Sequence, residues 1–209
     1  MTASLALGTY RLREVATAVR RAAACPSTAW VDTAPNYLAG RAHRLLAPVL
    51  TDHPGMQVST KVGFPAPGAA AAVAAGVLPP EAAERGHSLA AGYVRWQVER
   101  NRAALGRACL DTVFLHNPER TDDPAVLPIV LREAFAVLEE AAVAGHLSTY
   151  GIATWSGFTE GLLTVGEAGP PGHRSCRLAR PPTACCAAAS QPDRDRRACA
   201  GPRRPRADR

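Results

Sequence analysis

The sequence predicts an α/β fold of the (β/α)8 TIM-barrel type, incomplete at about five βα units and followed by a disordered basic tail. Three observations predict it. Short strand-like runs alternate with helical patterns up to residue 165. Polar residues close several of the strand-like runs. Large apolar residues all but vanish after Val165.

Leu5-Ala6-Leu7-Gly8 reads as a short first strand, and residues 12–24 as a helix with Val15, Ala18, Val19 and Ala22 on one face. Residues 28–32 read as the second strand. Leu38, Ala42, Leu45, Leu46 and Val49 then recur at helical spacing over 38–50. A strand over 56–61 leads into a long connection, 64–92, rich in Ala, Pro and Gly. A helix over 93–107 carries Val94, Val98 and Leu105, and a strand follows over 112–116. The helix over 125–144 has an unbroken stripe of Leu127, Leu131, Ala134, Phe135, Leu138 and Ala142, with Pro124 suited to its first turn. A strand over 147–153 and a short helix near 156–165 end the pattern. Strict alternation argues a parallel sheet with helices outside, although a closed barrel needs eight strands. A connection as long as 64–92 is a lid, a binding loop or a disordered insertion. It leaves the strand that bears Lys61, so a lid would lie over that strand's end.

Two domains of unlike character follow: a partial barrel over 1–165 and an Arg/Pro/Ala/Cys-rich tail over 166–209. Residues 1–165 balance 13 Arg and one Lys against 14 acids, so the net charge of +6 belongs wholly to the tail, with its 10 Arg and four acids. In the tail Leu178 is the only Val, Ile, Leu, Met, Phe, Tyr or Trp. Such a segment buries too little apolar surface to offset its ordering entropy. Its composition is that of a GC-rich gene read out of phase, which leads to the expectation of a frameshift near codon 166 that removes three βα units. The rival reading is a natural disordered basic tail that contacts acidic partners.

A neutral body gives no electrostatic case for nucleic acid, and the tail lacks aromatic residues on which bases could stack. No apolar run approaches 18 residues, so no membrane span is expected. The N-terminus lacks the basic and apolar regions of a signal peptide, which leads to a cytoplasmic expectation, and the isolated Cys25 and Cys109 suit a reducing compartment. His43, His53, His87 and His146 share no ligand spacing and read as solvated. His173, Cys176, Cys185 and Cys186 lack the paired spacing of a zinc module, so no metal is expected.

The chemistry lies at the strand ends. Lys61 is the single lysine beside 23 arginines, and lysine is the cation whose pKa moves readily. Asp32, Lys61 and His116 each close a strand-like run. Singly, each has a plain explanation, such as Asp32 as a cap and Lys61 as a surface residue or a Schiff-base lysine. Jointly they place an acid, an ammonium and an imidazole at one end of a sheet, where barrels carry their active sites.

The string Val31-Asp32-Thr33-Ala34-Pro35-Asn36-Tyr37, followed by Lys61 and His116 at later strand ends, resembles the aldo-keto reductase superfamily. Leu5 to Tyr10, Leu110 to Pro118 and Ala144 to Thr154 resemble that family's first, fourth and fifth strands with their flanks. The resemblance covers about residues 4–165. It implies reduction of an aldehyde or ketone by hydride from NADPH. Tyr37 would be the general acid, Lys61 its tuner, Asp32 the counter-ion of Lys61, and His116 the group that orients the carbonyl. Free Tyr titrates near pKa ~10, and a neighbouring ammonium lowers it. Gly8, Thr9 and Tyr10 would line the nicotinamide end. Thr154 stands where the family has Asn at the carboxamide, and Ala153 where it has Ser, so those contacts depart from the pattern. Trp30 and Trp155 read equally as core or pocket wall. The family takes its phosphate and adenine contacts mostly from its last strands, which nothing after Val165 matches. The implied outcome is weak NADPH binding, poor folding and self-association through open sheet edges. The alternative is an inactive truncated remnant, or a non-catalytic binding protein with a basic tail.

Overall fold

Apolar residues at every second position, with polar residues between them, build strands with two unlike faces. The computed structural model describes residues 5–163 apart from Pro26, Ala66 and Asp122. Its strands are β1 (Leu5–Gly8), β2 (Thr28–Asp32), β3 (Gln57–Val62), β4 (Leu110–His116) and β5 (Leu147–Ala153). They form one parallel sheet in the order β1-β2-β3-β4-β5. The helices are α1 (Val15–Ala23), α2 (Ala42–Asp52), α3 (Ala69–Ala74), α4 (Pro80–Arg85), α5 (Ala91–Leu105) and α6 (Leu127–Val143). This is the expected partial barrel, five strands with helices between them. The tail, 166–209, lies outside the described residues, and so does everything expected of it.

Val31, Val58, Val113 and Leu115 face the helices and are fully buried. They join one core with Val15 and Val19 of α1, Leu46 and Val49 of α2, Val98 of α5 and Leu138 of α6. Between them on the strands stand Trp30, Asp32, Ser59, Lys61, Thr112 and His116, which alternation puts on the opposite face. The register aligns Gly8 with Asp32, Asp32 with Ser59 and His116 with Ala153. Because the strands are parallel, their C-terminal ends share one side of the sheet, and the polar residues collect there.

Four expectations need correction. Residues 64–92 are not a disordered insertion: α3 and α4 fold within them. Ala72, Leu78 and Ala82 pack with Tyr93 of α5 into a small second core. Alanine is the best helix former but gives no apolar stripe, so periodicity could not find these helices. The helix near 156–165 does not form over its described part, where residues 156–163 make turns. Leu45, expected on the apolar face of α2, is exposed. That helix starts at Ala42 rather than residue 38, because Leu38, Ala39 and Gly40 take positive φ angles that end the preceding turn.

Candidate active site

Lys61 reaches the site from the end of β3 and is almost wholly buried, with 5% of its surface exposed. Its Nζ donates to Asp32 Oδ2 at 2.7 Å and to the Thr33 carbonyl at 2.9 Å. Burial works against its charge, but attraction and hydrogen bonding to Asp32 and Tyr37 outweigh this, and its pKa is raised. The other oxygen of Asp32 accepts from Ser59 Oγ at 2.6 Å, and Ser59 Oγ accepts from Trp30 Nε1 at 2.9 Å. This chain of donors fixes the carboxylate that fixes the ammonium.

Tyr37 enters from the short turn Tyr37–Gly40 after β2. Lys61 Nζ lies 4.9 Å from the centre of its ring. The Tyr10 ring lies 5.2 Å from it on one side, and the His116 ring 6.1 Å from it, edge-on, on another. Asp32, Tyr37, Lys61 and His116 therefore converge, although 84 residues of chain separate the first from the last (116 − 32).

His116 is buried at the end of β4. Burial, with the charges of Lys61, His87 and Arg120 adding to it, pushes its pKa down to about 3. The ring is thus neutral near pH 7, one nitrogen donating and the other accepting. His43, expected to be solvated, is buried instead on α2, with Nε2 2.9 Å from Thr60 Oγ1. Burial, then the charge of Lys61, pushes it down to about 4. His87 is also buried rather than solvated. It comes from the end of the 64–92 segment, and its Nε2 lies 2.8 Å from the His116 carbonyl. Among the described residues no group of three or more His, Cys, Asp or Glu could hold a metal ion.

Sequence reasoning missed the residues that frame the cluster. Phe64 stands edge-on to both His87 (5.2 Å) and His116 (4.7 Å). Gln97 of α5 accepts from the Gly63 N–H at 2.6 Å and donates to the Phe64 carbonyl at 2.8 Å. Gly63 has φ +132°, and a side chain there would meet His87 Nε2 at 3.0 Å and the His116 carbonyl at 3.2 Å. Glu119, after β4, accepts from Thr154 Oγ1 at 2.8 Å and from the backbone N–H groups of Trp155 (2.8 Å) and Ser156 (3.1 Å). Burial opposes its charge, but these donors prevail and its pKa is lowered. A strand-end signal could find His116; nothing in sequence spacing pairs Glu119 with a turn 35 residues on (154 − 119).

The residues expected to line the nicotinamide end divide. Gly8 adds no side chain, and Tyr10 leaves 48% of its surface exposed beside Tyr37. Thr9 is fully buried and spends its hydroxyl proton on the Asp32 carbonyl. Thr154 spends its own on Glu119 and accepts from the Gly157 N–H. Nearby, Thr33 Oγ1 and Asn36 Oδ1 are buried oxygens with no protein partner. Trp30 belongs to the Asp32 network, while Trp155 is 68% exposed. Two cavities of about 340 Å³ each, beside Gly106 and beside Gly55, lie at the opposite end of the strands, away from the cluster.

The model of the aldo/keto reductase family matches residues 2–160. A comparison with curated proteins gave no match. Among solved structures, a putative aldo-keto reductase from Pseudomonas aeruginosa is 21% identical, with a TM-score of 0.50 over 71% of this chain and 53% of that one. The holo form of an aldo-keto reductase from Bacillus halodurans is 20% identical, with a TM-score of 0.54 over 75% of this chain and 48% of that one. A glycerol dehydrogenase from Gluconobacter oxydans is 20% identical, with a TM-score of 0.53 over 75% and 46%. These likenesses carry the fold alone. The chain spans about half the length of the solved structures it matches.

Proposed function

We propose that this chain, which belongs to the aldo/keto reductase family, is an oxidoreductase that reduces a small aldehyde or ketone with NADPH. The observation that carries the reading is the buried Asp32–Lys61 pair with its ammonium 4.9 Å from the Tyr37 ring, beside a neutral His116.

NADPH would supply the hydride to the carbonyl carbon. Negative charge then builds on the carbonyl oxygen and calls for a proton donor. Tyr37 is that donor in this reading, since an ammonium beside a phenol favours its anion and eases proton release. Asp32, held by Ser59, keeps Lys61 charged and in place. A neutral His116 can donate one hydrogen bond to the carbonyl oxygen without competing to protonate it.

The fit to the cofactor is partial. Tyr10 offers a ring face, and Asn36 and Thr33 offer unpartnered oxygens to an amide donor. Thr9 and Thr154 can only accept, because their hydroxyl protons are already used within the protein. Weak NADPH binding is therefore expected.

The test is Tyr37→Phe. Under this reading kcat for an aldehyde with NADPH falls roughly 100-fold or more, the scale of a lost general acid. The hydroxyl protons that Thr9 and Thr154 spend within the protein favour a second reading, an inactive remnant or a non-catalytic binding protein on the same scaffold. It predicts no turnover by either form.

A further inference from the structure

Arg120 ends the short turn Pro118–Arg120 that follows β4. Its backbone N–H donates to the Asn117 carbonyl at 3.0 Å, and the Asn117 N–H donates to the Ala153 carbonyl at 2.7 Å, which anchors the turn to β5. The guanidinium carbon sits over Phe64, 5.4 Å from the ring centre, and that ring meets His116 at 4.7 Å. Arg120 thus stands at the rim of the site, one aromatic ring away from the imidazole.

No carboxylate among the described residues pairs with it. Asp32 is spent on Lys61 and Ser59. Glu119, its sequence neighbour, is turned to Thr154, Trp155 and Ser156. Arg11, over the Tyr10 ring at 5.1 Å, adds a second cation on the other flank. The Tyr10 and Phe64 rings therefore each carry a guanidinium, and no carboxylate among the described residues compensates the charge beside the imidazole. The positive field of Arg120 already reaches His116.

A guanidinium fork held on a ring face matches a carboxylate bidentately and keeps its charge at every relevant pH. We infer that the site takes a carbonyl substrate bearing a carboxylate, with Arg120 as the residue that binds the carboxylate while the carbonyl lies at Tyr37 and His116. This deepens the proposed reductase reading and rests on it.

The full-length chain and an Arg120→Gln variant are compared with para-carboxybenzaldehyde and its neutral methyl ester, in each case with NADPH. The readout is the ratio of kcat/KM for the two aldehydes. A charge-assisted contact predicts a preference for the acid of about tenfold or more in the unsubstituted chain and a collapse of that ratio in the variant. No preference, or the same preference in both proteins, overturns the inference while leaving the reductase reading intact. If neither aldehyde is turned over, the reductase reading fails by itself, and benzoate titration followed by the NMR signal of the His116 ring decides the inference. A saturable shift that is lost in the variant supports the carboxylate site. A shift shared by both proteins, or none, overturns it.

Discussion

At the scale of single residues, two buried histidines make stability depend on pH. A histidine is neutral in this interior and free to take a proton once unfolded. The folded values, about 3 for His116 and about 4 for His43, lie below the ordinary value of 6.5. Below that ordinary value the unfolded chain binds more protons than the folded one, so stability is full above it and is lost as pH falls toward the folded values. Between pH ~7 and pH ~5 each histidine should cost about 2 kcal/mol. Urea midpoints measured across that range should fall, and His43→Gln should remove close to half of the fall. An unchanged slope in that variant sinks the assignment. Lys61 acts in the same direction on both rings, since its charge disfavours a second cation beside it. Neither effect was legible in the sequence, where His43 is one more polar residue on a helix.

At the scale of elements, the strands and most helices were legible because each is written in a local pattern. The stripe on α6 and the apolar run Val113-Phe114-Leu115 of β4 need no distant partner to be recognised. Asp32, Lys61 and His116 were legible for a related reason: each closes a strand-like run, so position alone marks them as strand ends. What escaped depends on contacts between segments far apart in the chain. Gln97 on α5 reads as a surface residue, yet it is 4% exposed and holds both the Gly63 N–H and the Phe64 carbonyl. Asn101, one turn on, likewise donates to the Lys61 carbonyl at 3.0 Å. Together they tie the end of β3 to α5. Gln97→Leu should leave a buried donor and a buried acceptor unpaired and cost about 2–4 kcal/mol. It should also let Phe64 shift, so the His116 ring signal moves in NMR spectra. A variant as stable as the parent, with that signal unmoved, shows that the segment is held by other contacts.

At the scale of the whole molecule, the described sheet has two free sides. β1 pairs only with β2, and β5 only with β4, so each leaves one edge without a strand partner among the described residues. A row of unpaired N–H and C=O groups is a template for another strand. Apolar side chains lie near both edges: Leu5 on β1 is 55% exposed, and Phe158, just past β5, is 49% exposed. β1 is also the least buried of the strands beside the core, with no residue fully covered from Leu5 to Gly8. Backbone pairing and apolar contact are screened little by salt, whereas contact through a basic tail would weaken steeply with it. Sedimentation velocity separates the two. The expected result is a sedimentation coefficient that rises with protein concentration and changes little between low and high salt. Association that salt abolishes would assign it to charge instead, and a single monomeric species at every concentration would show that the edges do not recruit another chain.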